Sequence, residues 1–149
     1  MNKLILLVED NLVDEKLTRL AFRESNVENE IVVVRDGAEA LDYLFGRGAH
    51  AARDASVLPA VVLLDLNLPR VGGLDVLRAV RADARTKYLP IVILTASRED
   101  EDVLASYSFG ANAYVRKPVD FAAFVEAAKV LGLHWLVLNE RPPARRTEW

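Results

Sequence analysis

Four apolar segments of the sequence end in side chains that can take part in phosphate or metal chemistry. The first segment ends at Glu9 and Asp10, the second at Asp65, the third at Thr95 and the fourth at Lys117. Three carboxylates in one place repel one another unless a cation joins them, and a hard divalent cation such as Mg²⁺ prefers oxygen ligands. A lysine and a hydroxyl nearby could contact phosphate oxygens. If these ends meet, they predict Mg²⁺-dependent, in-line phosphoryl transfer to a carboxylate.

These side chains can meet only if the apolar segments are neighbouring strands of one sheet. Segments 4–8, 31–34, 59–64, 90–95 and 113–115 are apolar without polar alternation, which is typical of strands buried on both faces of a parallel sheet. Helical patterns follow each strand. The alternation predicts an α/β fold, a doubly wound five-stranded parallel sheet in the flavodoxin-like order 2-1-3-4-5. Strands 1, 3, 4 and 5 are then neighbours, and ligands bind at their carboxyl ends.

The helices between the strands have capping residues and apolar stripes. The predicted N-caps are Asn11, Asp36, Ser97 and Asp120. Asp14 occupies the third position of the first helix. The predicted inner stripe of the first helix is Val13, Leu17, Leu20 and Ala21. The predicted inner stripe of the last helix is Phe121, Phe124, Val125 and Ala128.

Composition limits the classes of protein that this chain can be. With 149 residues we expect one domain over 1–138, with an apolar extension from about 133 and a flexible tail over 139–149. A net charge of −3 disfavours nucleic-acid binding, and no apolar run is long enough to span a membrane. The absence of cysteine fits a cytoplasmic protein.

The spaced motifs resemble those of the receiver domains of two-component response regulators. The matching motifs are LVEDN (7–11), LDLNLP (64–69), the pair Gly72-Gly73, LTA (94–96) and KP (117–118). Within that family the chain is most similar to the single-domain regulators associated with bacterial phytochromes. That resemblance rests on the motifs EDN, DLNLPR and YVRKPVD and on the apolar extension after the last helix.

The resemblance implies a role for each residue of the motifs. Asp65 would accept a phosphoryl group from a sensor histidine kinase, for which a bacteriophytochrome is the candidate. Asp10, Asp65 and the backbone carbonyl of Asn67 would bind Mg²⁺ directly, and Glu9 would bind it through water. Lys117 would pair with the phosphoryl group, and the Lys117–Pro118 bond would be cis.

The family resemblance also implies a conformational switch and an output. Thr95 would turn toward the phosphoryl group, and Tyr114 matches the switch aromatic of the family. The protein would be a phosphoacceptor rather than an enzyme, although it would assist its own phosphotransfer and dephosphorylation. The sequence leaves no room for a separate output domain, so we expect output through the receiver surface itself.

The sequence allows two interpretations of the oligomeric state. The subfamily resemblance and the apolar segment 131–138 predict a homodimer through the last two helices, the fifth strand and the C-terminal extension. In the alternative, Leu133, Trp135 and Leu136 fold back on their own domain. His50 and His134 have no metal-ligand spacing, so we interpret them as surface or interface residues.

Three other functions are consistent with parts of the pattern. An aspartyl phosphatase favours a second aspartate two positions after the nucleophile, where this chain has Asn67. A flavin-binding electron carrier needs a hydroxyl-rich phosphate loop after the first strand, whereas Glu9 and Asp10 would repel phosphate. A receiver-like module that only binds partners would not need the complete set of acids, threonine and lysine. Labelling by acetyl phosphate with Mg²⁺ separates that module from a phosphoacceptor.

Overall fold

All five predicted strands lie in one parallel sheet in the computed structural model, which describes residues 3–97, 99–117 and 120–138. The strands are β1 (Ile5–Val8), β2 (Ile31–Val34), β3 (Val61–Leu64), β4 (Ile91–Thr95) and β5 (Ala113–Arg116). Their order is β2-β1-β3-β4-β5, so the predicted fold class and strand order are confirmed. β3 is therefore central, with β1 and β4 on its two sides.

Five helices cover the two faces of the sheet. They are α1 (Leu12–Glu24), α2 (Gly37–Phe45), α3 (Gly73–Ala82), α4 (Asp100–Ser108) and α5 (Phe121–Leu131). The loop after α2 contains a 3₁₀ turn over Gly48–His50, and a π-helical segment, Gly132–Leu138, continues α5. Within the described ranges, no helix has the length and apolarity needed to cross a membrane.

Side chains of the central strands alternate between two hydrophobic clusters. Leu6 and Val8 of β1 join a cluster that includes the inner residues of α2 and α3. Ile5 and Leu7 join a second cluster on the opposite face, formed with α1 and α5. Because both faces of β1 and β3 are covered, these strands are apolar at every position.

The inner face of α1 differs from the prediction. Val13, Leu17 and Leu20 are 66%, 42% and 38% exposed, and only Ala21 of the predicted stripe is buried. The buried positions are Glu15, Thr18, Ala21 and Phe22. The helix is rotated about its axis relative to the prediction, because both polar side chains among the buried residues have partners. Glu15 binds Arg19 and Arg35, and the Thr18 hydroxyl donates to the Asp14 carbonyl, so both can be buried while Phe22 packs on the sheet.

Two further predictions about helices need correction. Phe121 begins α5 and is 37% exposed, whereas Phe124 and Ala128 are buried as predicted and Val125 packs against the same cluster. Ser97 is not the N-cap of α4, because the helix begins two residues later with Glu99 as its N-cap. The Ser97 hydroxyl instead accepts a hydrogen bond from the Glu99 N–H and donates to Asp102.

The C-terminal extension packs on its own domain over part of its length. Leu136 is buried in the cluster beneath α1 and α5, and Trp135 packs at the edge of that cluster. A Cβ at Gly132 would lie 2.7 Å from a methyl group of Val27, so the segment also lies tightly against the loop after α1. The alternative in which Leu136 and Trp135 fold back is therefore correct for these two residues. The predicted tail over 139–149 lies outside the described residues.

Gly73 offers a direct test of how the fold positions the end of β3. A Cβ at Gly73 would lie 2.3 Å from the Asp65 carbonyl oxygen, whereas the nearest atom at Gly72 is 3.9 Å away. We expect Gly73→Ala to lower the free energy of unfolding by about 2 kcal/mol or more, because the backbone that carries Asp65 must shift. The matched control Gly72→Ala should cost about 1 kcal/mol or less. Urea unfolding measures both, and equal losses would contradict the close approach.

Candidate functional site

The strand register brings the predicted site residues to one edge of the sheet. Val8 of β1 pairs with Leu64 of β3, and Thr95 of β4 pairs with Arg116 of β5. Backbone hydrogen bonds extend this alignment beyond the strands: the Asp65 N–H donates to the Val8 carbonyl at 3.1 Å, and the Lys117 N–H donates to the Thr95 carbonyl at 2.7 Å. Asp65 and Lys117, which follow β3 and β5, are therefore held by the sheet itself.

Three carboxylates form a cluster at this edge. Glu9, Asp10 and Asp65 each place a carboxylate oxygen within 4.8 Å of the others. Glu9 and Asp65 are buried, whereas Asp10 is exposed. An all-oxygen set with one exposed member suits a hard divalent cation that keeps some of its water, so the donor set fits Mg²⁺ or a similar ion. Asn67 lies beside this cluster, and its backbone N–H donates to Asp65 Oδ1 at 3.1 Å.

The ammonium of Lys117 is shared among three carboxylates. Its Nζ lies 2.7 Å from Glu9 Oε1, 2.7 Å from Asp14 Oδ2 and 3.2 Å from Asp65 Oδ2. Burial lowers the pKa of Lys117, but the hydrogen bonds to Asp14 and Glu9 outweigh burial and hold its pKa above the ordinary value. The lysine is therefore a permanent cation that partly neutralises the acids around it.

Burial acts in the opposite direction on Glu9. Burial raises the pKa of the Glu9 carboxyl above its ordinary range, and the nearby Asp65 charge adds to this effect. Lys117 opposes the rise through its hydrogen bond and its charge. A divalent cation at the cluster would favour the ionised form of Glu9 in the same way that Lys117 does.

Asp14 is the site residue that the sequence analysis missed. The sequence predicts for it only a place in the first turn of α1, yet its carboxylate is one of the two nearest partners of Lys117. Its position could have been a signal, because α1 starts at the functional edge of the sheet and Asp14 lies four residues after Asp10. An acid in the first turn of that helix is close enough to the strand end for its carboxylate to reach the site.

A chain of hydrogen bonds connects Asp65 to Tyr114. The Thr95 hydroxyl donates to Asp65 Oδ1 at 2.8 Å, and the Ser97 N–H donates to the Thr95 hydroxyl at 3.5 Å. The half-buried Tyr114 then donates through its hydroxyl to the Ser97 carbonyl at 3.2 Å. Both oxygens of Asp65 thus have partners, Thr95 and Asn67 on one and Lys117 on the other. The predicted cis bond at Lys117–Pro118 lies outside the described residues.

The two histidines lie away from this site. His50 is hydrogen-bonded to Glu39 at 3.2 Å and meets the ring of Tyr43 edge-on, so it links the 3₁₀ turn to α2. His134 is exposed and stacks edge-on against Trp135. His134 is thus a surface residue, whereas His50 is half-buried between the turn and α2.

The sheet order and this site define a receiver domain. The chain belongs to the response regulator receiver domain family, whose family model matches residues 5–129. Among curated proteins it is similar to the response regulator Rcp1 of Synechocystis sp., at 33% identity over 142 residues that cover 95% of each chain.

Solved structures give the same family. The Mn²⁺-bound form of Rcp1 has a TM-score of 0.82 and 32% identity, over 95% of this chain and 99% of that one. The phosphorylated cyanobacterial phytochrome response regulator RcpA has a TM-score of 0.84 and 36% identity, over 96% of this chain and 100% of that one. The bacteriophytochrome response regulator RtBRR is 53% identical, with a TM-score of 0.79, over 96% of this chain and 86% of that one.

The shared ammonium predicts a stability effect that a surface lysine would not have. Lys117→Met leaves the carboxylates of Glu9 and Asp65 buried without their cation. We expect a loss of about 3 kcal/mol in the free energy of unfolding at pH 7 in EDTA. The control Lys129→Met removes an exposed lysine paired with Glu126 and should change stability by about 0.5 kcal/mol or less. Added Mg²⁺ should restore part of the loss. A Lys117→Met protein with the wild-type urea midpoint would contradict the charge balance described above.

Proposed function

We propose that this chain is a phytochrome-linked response regulator that accepts a phosphoryl group on Asp65 from a sensor histidine kinase. The observation that carries the proposal is the environment of Asp65. Its carboxylate lies at the end of the central strand, between the Thr95 hydroxyl and the Lys117 ammonium, and beside two further acids. The similarity to RtBRR, RcpA and Rcp1 supports a bacteriophytochrome as the kinase.

The chemistry follows from the partners of Asp65. A carboxylate oxygen of Asp65 attacks the phosphorus of phosphohistidine, so that an O–P bond forms as the P–N bond breaks. Lys117 donates to a phosphoryl oxygen in place of Asp65 Oδ2, and Thr95 donates to another. A bound Mg²⁺, held by Asp10, Asp65, the Asn67 carbonyl and, through water, Glu9, would neutralise charge on the phosphoryl group. Hydrolysis of the acyl phosphate by water returns the resting carboxylate, so the protein would limit its own signal.

Phosphorylation would reach the surface through Thr95. A phosphoryl group offers the Thr95 hydroxyl a new acceptor, which changes its hydrogen bond with the Ser97 N–H. Tyr114 binds the Ser97 carbonyl, so movement of this loop changes the packing of the tyrosine on β5. We propose that the output is the altered surface of α4, β5 and α5. The proposal includes a cytoplasmic location and no nucleic-acid or membrane partner.

The homodimer remains part of this proposal, with a smaller surface than the sequence predicted. Leu104 and Tyr107 of α4 are 69% and 51% exposed, Val130 of α5 is 67% exposed, and β5 is an edge strand. Exposed apolar residues beside a free strand edge favour an interface. Leu136 packs inside its own domain, so it does not contribute to that surface.

Asp65→Asn tests the phosphoacceptor directly. We expect incubation with acetyl phosphate and Mg²⁺ to add one acid-labile phosphoryl group to the wild type and none to Asp65→Asn, because an amide is not a nucleophile for this step. The control Asp75→Asn changes an exposed aspartate in the first turn of α3 and should be labelled normally. Intact mass spectrometry measures each product. Undiminished labelling of Asp65→Asn would refute the assignment.

Light scattering tests the dimer. We expect the wild type to run as a dimer at high concentration and the double variant Leu104→Glu with Val130→Glu to run as a monomer, because a charge cannot be buried at an apolar interface. Val57→Glu places the same charge on an exposed valine before β3 and should leave the dimer intact. A wild type that stays monomeric, with and without phosphorylation, would end the dimer proposal.

A further inference from the structure

Asp14 contacts the functional site although it lies outside the motifs that resemble the receiver family. An ammonium has three N–H donors, and in Lys117 they point to Glu9, Asp14 and Asp65. The lysine is therefore saturated, and Asp14 supplies one of the two shortest bonds. Glu9 and Asp65 also belong to the three-acid cluster, whereas Asp14 does not. Asp14 is thus a partner of the lysine alone.

The backbone of Asp14 is fixed by two hydrogen bonds. The side chain of Asn11 accepts from the Asp14 N–H at 3.0 Å and caps α1, and the Thr18 hydroxyl donates to the Asp14 carbonyl at 2.8 Å. The carboxylate itself is 32% exposed, so it lies between the buried ammonium and solvent. Its contact with the ammonium therefore does not depend on a metal ion.

Binding of a divalent cation weakens the interactions that hold the Lys117 ammonium in the site. The cation competes with the ammonium for Glu9 and Asp65, and the two positive charges repel each other. Without Asp14, the lysine would have only these two acids as partners and would oppose the cation. With Asp14, the ammonium keeps one strong partner that the cation does not need.

We propose that Asp14 is a positioning residue of the phosphoryl site. It holds the Lys117 ammonium at the edge of the site when a divalent cation replaces that ammonium as the partner of Glu9 and Asp65. This inference rests on the proposed function, because it concerns the same Mg²⁺ site and the same lysine. Asp14 touches neither the phosphoryl group nor the metal in this scheme, and it acts only through Lys117.

The test is a Mg²⁺ titration of the unphosphorylated protein, in which NMR signals of backbone amides near the site measure the affinity. We expect Asp14→Asn to weaken Mg²⁺ binding by about tenfold, at the lower end of losses for residues that orient metal-site groups. Asp14→Glu keeps the charge and should stay within about threefold of wild type. The control Glu101→Gln removes the same charge from an exposed position in the first turn of α4 and should bind as wild type.

A double-mutant cycle separates positioning from simple charge attraction. In the Lys117→Met background, Asp14→Asn should change Mg²⁺ affinity by about twofold or less, because the group through which Asp14 acts is gone. A full tenfold loss in that background would overturn the inference, since the effect would then be direct. If Lys117→Met does not fold, the half-saturating Mg²⁺ for acetyl phosphate labelling decides. Asp14→Asn should raise it by the same factor as the binding loss, and an unchanged half-saturation would overturn the inference.

The outcomes distinguish this inference from the proposed function. Wild-type protein that binds Mg²⁺ and is labelled on Asp65, with an Asp14→Asn variant of equal Mg²⁺ affinity, overturns the role of Asp14 alone. Wild-type protein that neither binds Mg²⁺ nor accepts phosphate overturns the proposed function, and the role of Asp14 with it.

Discussion

The buried ammonium of Lys117 is the interaction on which this structure depends. Three carboxylates converge on it, and two of them, Glu9 and Asp65, are buried. Without a cation, such a set of acids would repel one another and destabilise the strand ends. The lysine stabilises the resting site and is also the group that a phosphoryl oxygen would recruit. Under the proposed function, stability and signalling use the same charge.

The parallel sheet makes this convergence possible at little cost. Because β1, β3, β4 and β5 run in one direction as neighbours, the residues after them lie at one edge without long loops to order. Apolar side chains fill both faces of β1 and β3 and hold the strand ends rigidly. The close approach of Gly73 to the Asp65 carbonyl adds a constraint from α3.

The least buried helix of the structure near this site is α4. In the described part of the chain, Ser106 is the one buried residue of α4, and its hydroxyl has no hydrogen-bond partner. The loop before α4 is tied to Asp65 through Thr95 and to β5 through Tyr114. A helix with so little burial costs little free energy to shift, so the link from Asp65 to this surface is physically reasonable.

The sequence by itself determined the strands and the acids, threonine and lysine at the strand ends, because uninterrupted apolar runs and the residues after them are local features. It also determined the strand order, because a regular alternation of strands and helices is compatible with few topologies. Only the tertiary structure decided which face of α1 is buried, since the Glu15 pairs with Arg19 and Arg35 allow an acid to be covered where Val13 was expected. The same holds for the contact of Asp14 with Lys117, two residues 103 positions apart that meet because the start of α1 and the end of β5 lie at the same end of the sheet. Such pairings depend on helix rotation, which an ambiguous apolar stripe does not specify.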